Sequence, residues 1–208
     1  MTRAAFYVDG FNLYHSLRTQ HPLATACKWL DVRALCQSFL MKTEKLVKVT
    51  HFTAFATWAP DKVRRHQRYV RALRHTGVEI VMGEFKWKER ECQHCGGIIQ
   101  THEEKRTDVN IAARLIRDAY LDVYDSAFIM SGDSDLIPGI ETVRELFPSK
   151  ELVAVFPLNR VTNSVKDAVD RYMRTKVPRI QRCLFPMVIE TEDGRNIECP
   201  EEWRTEKN

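Results

Sequence analysis

The stretch from Ala127 to Phe147, "AFIMSGDSDLIPGIETVRELF", decides how the rest of the chain is read. Ala127 to Met130 form a short apolar run of the kind that fills a buried strand. From Asp135 onward the apolar residues return at helical spacing. Between the strand and the helix stand Asp133 and Asp135, one residue apart, two negative charges that ought to repel each other.

The same alternation extends in both directions. "AAFYVDG" reads as a strand ending at Asp9-Gly10, with a helix over "FNLYHSLRTQ". "DVRALCQSFLMK" has Asp31 as an N-cap and apolar residues on one helical face. "KLVKVTHFTAFAT" and "VEIVMGEF" read as strands around a helix, "PDKVRRHQRYVRALRHTG", that opens at Pro60-Asp61 and closes at Gly77. "CQHCGGIIQTHEE" reads as a hairpin turning at Gly96-Gly97, and "TDVNIAARLIRDAYLD" as a helix. "ELVAVFP" is a strand, "NSVKDAVDRYM" a last helix, and "VIETEDGRNIE" a tail hairpin turning at Asp193-Gly194. Strands alternating with helices predict a mainly parallel sheet covered on both faces. The expected layout is one α/β domain over residues 1–178 with a hairpin insertion at about 86–104, followed by an appendage over 179–208.

With 208 residues, 44% of them hydrophobic, the chain can bury a substantial core. No apolar run approaches the roughly 18 residues that span a bilayer, and no signal-like segment opens the chain. The expectation is a soluble cytoplasmic protein with no membrane partner. Its six scattered cysteines fit a reducing compartment, and a net charge of +4 permits a polyanionic partner without demanding one.

In an open parallel sheet, ligands gather at the carboxyl ends of strands, beside the point where strand order reverses. Asp9 ends the first strand, Asp133 and Asp135 follow the "AFIM" strand, and Asp108 opens a helix. Grouped carboxylates raise one another's pKa. A hard divalent cation, Mg²⁺ or Mn²⁺, relieves that repulsion and can activate water against a phosphodiester. Taken singly, each aspartate is as readily a helix cap, and Asn12 and Ser131 are polar neighbours suited to local hydrogen bonds or to water.

"YVDGFNLYHSL", "EKRTDVNIAARLIRDAY" and "FIMSGDSDLIPGIETVRE" together resemble the NYN domain, a branch of the PIN-like nuclease superfamily that includes LabA-like bacterial proteins. The resemblance runs over roughly residues 3 to 172. It implies a PIN-like three-layer α/β/α sandwich and metal-dependent, endonucleolytic cleavage of RNA. By position it assigns metal binding to Asp9, Asp108, Asp133 and Asp135, with Asn12 and Ser131 completing the catalytic set. Two departures stand out. Many relatives carry another acid about two turns into the Asp108 helix, where this chain has Ala113 and Arg114. The glutamate that broader PIN domains place on an early helix has no clear match.

Other features admit two readings. Arg64, Arg65, Arg68 and Arg71 load one helix with positive charge, either a track for an RNA backbone or a solvated surface. Lys105, close before Asp108, is a phosphate contact or a surface lysine beside Glu103 and Glu104. Cys92, Cys95 and His102 supply three of the four ligands of a structural Zn²⁺ site. Phe85 and Trp87 are stacking platforms or half-buried strand residues. The leading expectation is a Mg²⁺- or Mn²⁺-dependent ribonuclease acting on single-stranded or structured RNA, with a homodimer left open. The alternative is an RNA- or protein-binding adaptor that keeps the fold with weak or no activity. A dehalogenase-type phosphohydrolase fits poorly, because its DxD belongs on the first strand.

Overall fold

The computed structural model describes residues 1–18, 25–91, 94 and 96–204. The chain begins with β1 (Thr2–Asp9), α1 (Gly10–Arg18), α2 (Val32–Gln37) and β2 (Glu44–Thr53). It continues through α3 (Pro60–His75), β3 (Glu79–Met82) and an antiparallel hairpin, β4 (Glu84–Glu91) and β5 (Ile98–Lys105). Next come α4 (Thr107–Tyr120), β6 (Ser126–Met130), α5 (Ile137–Leu146), β7 (Glu151–Phe156) and α6 (Asn163–Ala168). The last elements are β8 (Arg171–Arg174), α7 (Val177–Gln181), β9 (Val188–Ile189) and β10 (Ile197–Glu198).

Six strands form one sheet in the order β3-β2-β1-β6-β7-β8, and each neighbouring pair is parallel. The chain thus starts at the centre, walks outward to β3, then returns to the other side of β1 and walks outward again. Strand order reverses between β1 and β6, which places a crevice at their carboxyl ends. Alternation sorts β1 between two cores. Ala4, Phe6 and Val8 pack with Leu13 and Leu17 of α1, Leu35 of α2 and Leu73 of α3, whereas Ala5 and Tyr7 pack with Ile111 and Leu115 of α4 and Ile140 of α5. This is the three-layer sandwich expected from the sequence.

The structure departs from the sequence reading in three places. "VEIVMGEF" is not one strand. Gly83 divides it between the main sheet and the hairpin, because a Cβ there would lie 2.8 Å from both Glu104 Oε1 and the Lys105 carbonyl oxygen. The final helix stops at Ala168, and Arg171–Arg174 join the sheet as its edge strand, fastened where Arg171 meets Glu44 at 2.7 Å and Glu151 at 2.6 Å. α2 is also short, although Asp31 caps it as expected, accepting from the Ala34 N–H at 3.0 Å.

The segment beyond residue 178 packs into the first core. Ile180, Phe185, Ile189, Ile197 and Cys199 are buried there, and the Trp29 indole donates to the Pro186 carbonyl at 2.8 Å. No helix among the described residues is long and apolar enough to cross a membrane.

Candidate active site

Asp9 is the last residue of β1, 4% exposed, at the point where strand order reverses. Its Oδ1 accepts the N–H groups of Phe11 (3.1 Å) and Asn12 (2.9 Å), which fixes the carboxylate against the start of α1. Its Oδ2 accepts the Ser131 hydroxyl at 2.9 Å. Ser131 Oγ in turn accepts the Asp133 N–H at 3.1 Å, and Asp133 Oδ1 accepts the Asp135 N–H at 3.0 Å. The Asn12 side-chain oxygen accepts the Gly132 N–H at 3.2 Å. β1 and β6 are therefore stitched together at their carboxyl ends by the residues singled out in the sequence. Gly132 is required for packing: a Cβ there would fall 2.0 Å from the Arg160 carbonyl oxygen.

Asp133 does cap the short 3-10 turn that precedes α5, so the modest reading of that residue holds alongside any catalytic one. Asp108 is not an N-cap. Arg106, in a left-handed conformation, occupies that position, and Asp108 lies in the first turn of α4. The Asp108 carboxyl is pushed up to about 6 by burial and by the charges of Asp133, Asp9 and Asp135. Asp9 is also raised, first by burial and further by Asp133 and Glu104, against the lowering effect of its hydrogen bonds. The charges of Asp133, Asp9 and Asp135 thus act on Asp108, and that of Asp133 acts on Asp9. Among the described residues, none of them forms a salt bridge.

A fifth carboxylate, missed in the sequence, joins them. Glu104 lies on β5, accepts the Thr107 N–H at 3.2 Å, and is raised by burial and by Asp108. Hard oxygen donors of this kind suit Mg²⁺ or Mn²⁺. Among the described residues, however, no three carboxylates, imidazoles or thiols stand close enough together to hold an ion as placed.

The remaining sequence candidates scatter. Lys105 pairs with Glu103 at 3.3 Å. Alternation along β5 sets both on the opposite side of the hairpin from Glu104. Arg114 pairs with Glu79 at 3.0 Å. On α3, Arg64 pairs with Asp61 and Arg65 with Glu202 (2.7 Å), while Arg71 donates to the carbonyls of Arg195 and Asn196. That face is therefore partly engaged by the C-terminal segment. Arg64, Arg68 and Arg71 still line a cavity of about 510 Å³ with Gln67, Asn196 and Glu198. Cys92 and Cys95 lie outside the described residues. His102 is stacked against Trp58, with ring centroids 3.4 Å apart, and its Nε2 is buried with no hydrogen-bond partner among the described residues.

Phe85 and Trp87, which the sequence offered as stacking platforms or half-buried strand residues, belong to an aromatic wall whose other members it did not indicate. Phe11 contacts Phe85, Phe85 contacts Trp58, and His102 sits between Trp58 and Trp87. Trp58 offers no periodic signal, since it lies in the loop between β2 and α3.

Comparison with known proteins agrees with this architecture. A solved protein of unknown function from Vibrio parahaemolyticus superposes with a TM-score of 0.57 at 16% identity, over 85% of this chain and 94% of that one. The 6-hydroxy-3-succinoylpyridine 3-monooxygenase HspA of Pseudomonas putida is 26% identical, over 68% of this chain. The match takes in 55% of HspA, so the chain spans about half the length of that relative. The NYN domain family matches residues 3–176, a span that takes in both strand ends of the crevice and the start of α4. The sheet order, the acids at its reversal and this match together make the chain a member of the NYN domain family.

Proposed function

We propose that this protein is a metal-dependent ribonuclease that hydrolyses RNA phosphodiester bonds with water as the nucleophile. The supporting observation is the electrostatic pressure that Asp133, Asp9 and Asp135 put on Asp108, at a crevice that offers these acids no salt-bridge partner among the described residues. Membership of a family generally made of nucleases supports the same reading. These four aspartates would hold Mg²⁺ or Mn²⁺, drawn inward from their present spacing. The ion when bound supplies an acidified water and neutralises charge on the phosphate. Asp9, anchored through three hydrogen bonds, sets the direction of approach, and Ser131 holds Asp9 and the Asp133 backbone in register. One of the crevice carboxylates would take the proton from the attacking water. Arg64, Arg68 and Arg71 would contact the RNA backbone at a distance from the scissile bond.

The test is cleavage of a generic RNA in Mn²⁺ by wild type and Asp133→Asn. Shortening of the RNA by wild type alone supports the proposal, and equal activity in both overturns it. The adaptor reading draws on the open spacing of the acids and on Arg114, which turns to Glu79 where relatives have an acid. It calls for RNA binding that is unchanged in EDTA, with no shortening. HspA carries a monooxygenase name, and the aromatic wall would accept a flat heterocycle. That competitor predicts turnover of a hydroxypyridine by the intact protein.

A further inference from the structure

The ring contacts beside the acids form a continuous ladder. It starts at Phe11, two residues after Asp9, and passes to Phe85 at 5.3 Å and Trp58 at 4.8 Å, both edge to face. Trp58 then lies flat on His102, 10° from parallel, and His102 meets Trp87 at 4.0 Å. Cross-strand register puts these side chains on one side of the hairpin, with Phe85 opposite Glu104 and Trp87 opposite His102. The inner end of the ladder is therefore shared with the acidic crevice, and its outer end is open: Trp58 is 40% exposed and Trp87 66%. The charged hairpin side chains Lys86, Lys88, Glu103 and Lys105 alternate onto the other side and pair among themselves or with Glu84.

We infer that the Trp58–His102–Trp87 ladder is a stacking platform for unpaired bases of a single-stranded RNA whose adjoining phosphate sits at the acidic crevice. This deepens the ribonuclease reading and rests on it. The choice of occupant follows from charge. Five carboxylates outnumber the two charges of a single divalent cation, so the crevice still opposes a polyanion, and contacts indifferent to that field add binding energy beside it. The indole rings of Trp58 and Trp87 offer that to uncharged bases, and every base presents a π-face whatever its sequence. A duplex cannot use the platform, because its bases are already stacked on one another.

The experiment measures equilibrium binding of a short labelled oligoribonucleotide and of its abasic counterpart, in Ca²⁺, with intactness checked on a gel. Wild type and Trp87→Phe should bind the base-bearing strand at least about fivefold more tightly than the abasic one. Trp87→Ala should bind the two alike, and since Trp87 is largely exposed that variant should stay folded, as circular dichroism will verify. A base-to-abasic ratio unchanged in Trp87→Ala overturns the inference. If Asp133→Asn nonetheless loses cleavage, the ribonuclease reading survives that result alone. Failure of the wild type to bind or cut any RNA overturns both. A free hydroxypyridine that quenches tryptophan emission in wild type but not in Trp87→Ala, with no preference for the base-bearing strand, assigns the ladder to small heterocycles and overturns it as well.

Discussion

Asp108 carries the most information of any single residue. Burial and three neighbouring aspartates favour its neutral form, so its charged form costs the fold stability at neutral pH. Asp108→Asn should therefore raise the melting temperature of the metal-free protein while abolishing Mn²⁺-dependent RNA cleavage. Mn²⁺ should raise the melting temperature of wild type and leave the variant unmoved, which differential scanning fluorimetry will read. Ser131 acts through Asp9 and Asp133, so Ser131→Ala should weaken Mn²⁺ binding about 10- to 100-fold in a calorimetric titration. Asp9, Asp133 and Asp135 were legible in the sequence because Asp9 ends an apolar strand and the other two stand in the short turn between an apolar strand and a helix. Glu104 was not, since which of Glu103 and Glu104 faces inward depends on hairpin register, and register is set by pairing with β4.

Among the elements, α4 ties the crevice to the core. Asp108 opens the helix, and Asp118, 1% exposed near its other end, accepts from the Tyr7 hydroxyl at 2.9 Å and from Lys48 Nζ at 2.6 Å. Lys48→Met removes one partner from a buried charge and should cost about 3–5 kcal/mol in urea unfolding. Measured well below its transition, the variant should cleave RNA with unchanged kcat, because Lys48 does not touch the crevice acids. The parallel sheet and most helices could be read from apolar periodicity. The edge strand β8 could not: "RYMR" is short and strongly charged, and becomes a strand by pairing with β7, with Arg171 held by Glu44 and Glu151. The split at Gly83 escaped for a similar reason, since its cause is a close approach by Glu104, distant along the chain.

For the molecule as a whole, pH sets two effects against each other. Burial holds His51 down at about 3 and His66 at about 4, against an ordinary value of 6.5. Their neutral forms are favoured in the folded state, so the stability they contribute is full above pH 6.5 and is lost as pH falls toward 4 and then 3. Asp108 works in the opposite sense, since its penalty is present above about pH 6 and is relieved as pH falls toward 3.8. Asp9 and Glu104, raised as well, act in the same sense as Asp108. Removing the Asp108 contribution should make metal-free Asp108→Asn lose stability on acidification below about pH 6 more steeply than metal-free wild type. Chemical denaturation at a series of pH values measures both slopes. The central claim is that acids remote from one another in the chain share a divalent cation at the β1/β6 crevice. Anomalous diffraction from a Mn²⁺-soaked crystal tests it most directly. One strong manganese peak is expected, ligated by Asp9, Asp108 and Asp133 with the carboxylates drawn inward; soaked crystals with an empty crevice, at Mn²⁺ concentrations that support RNA cleavage, would contradict a shared cation.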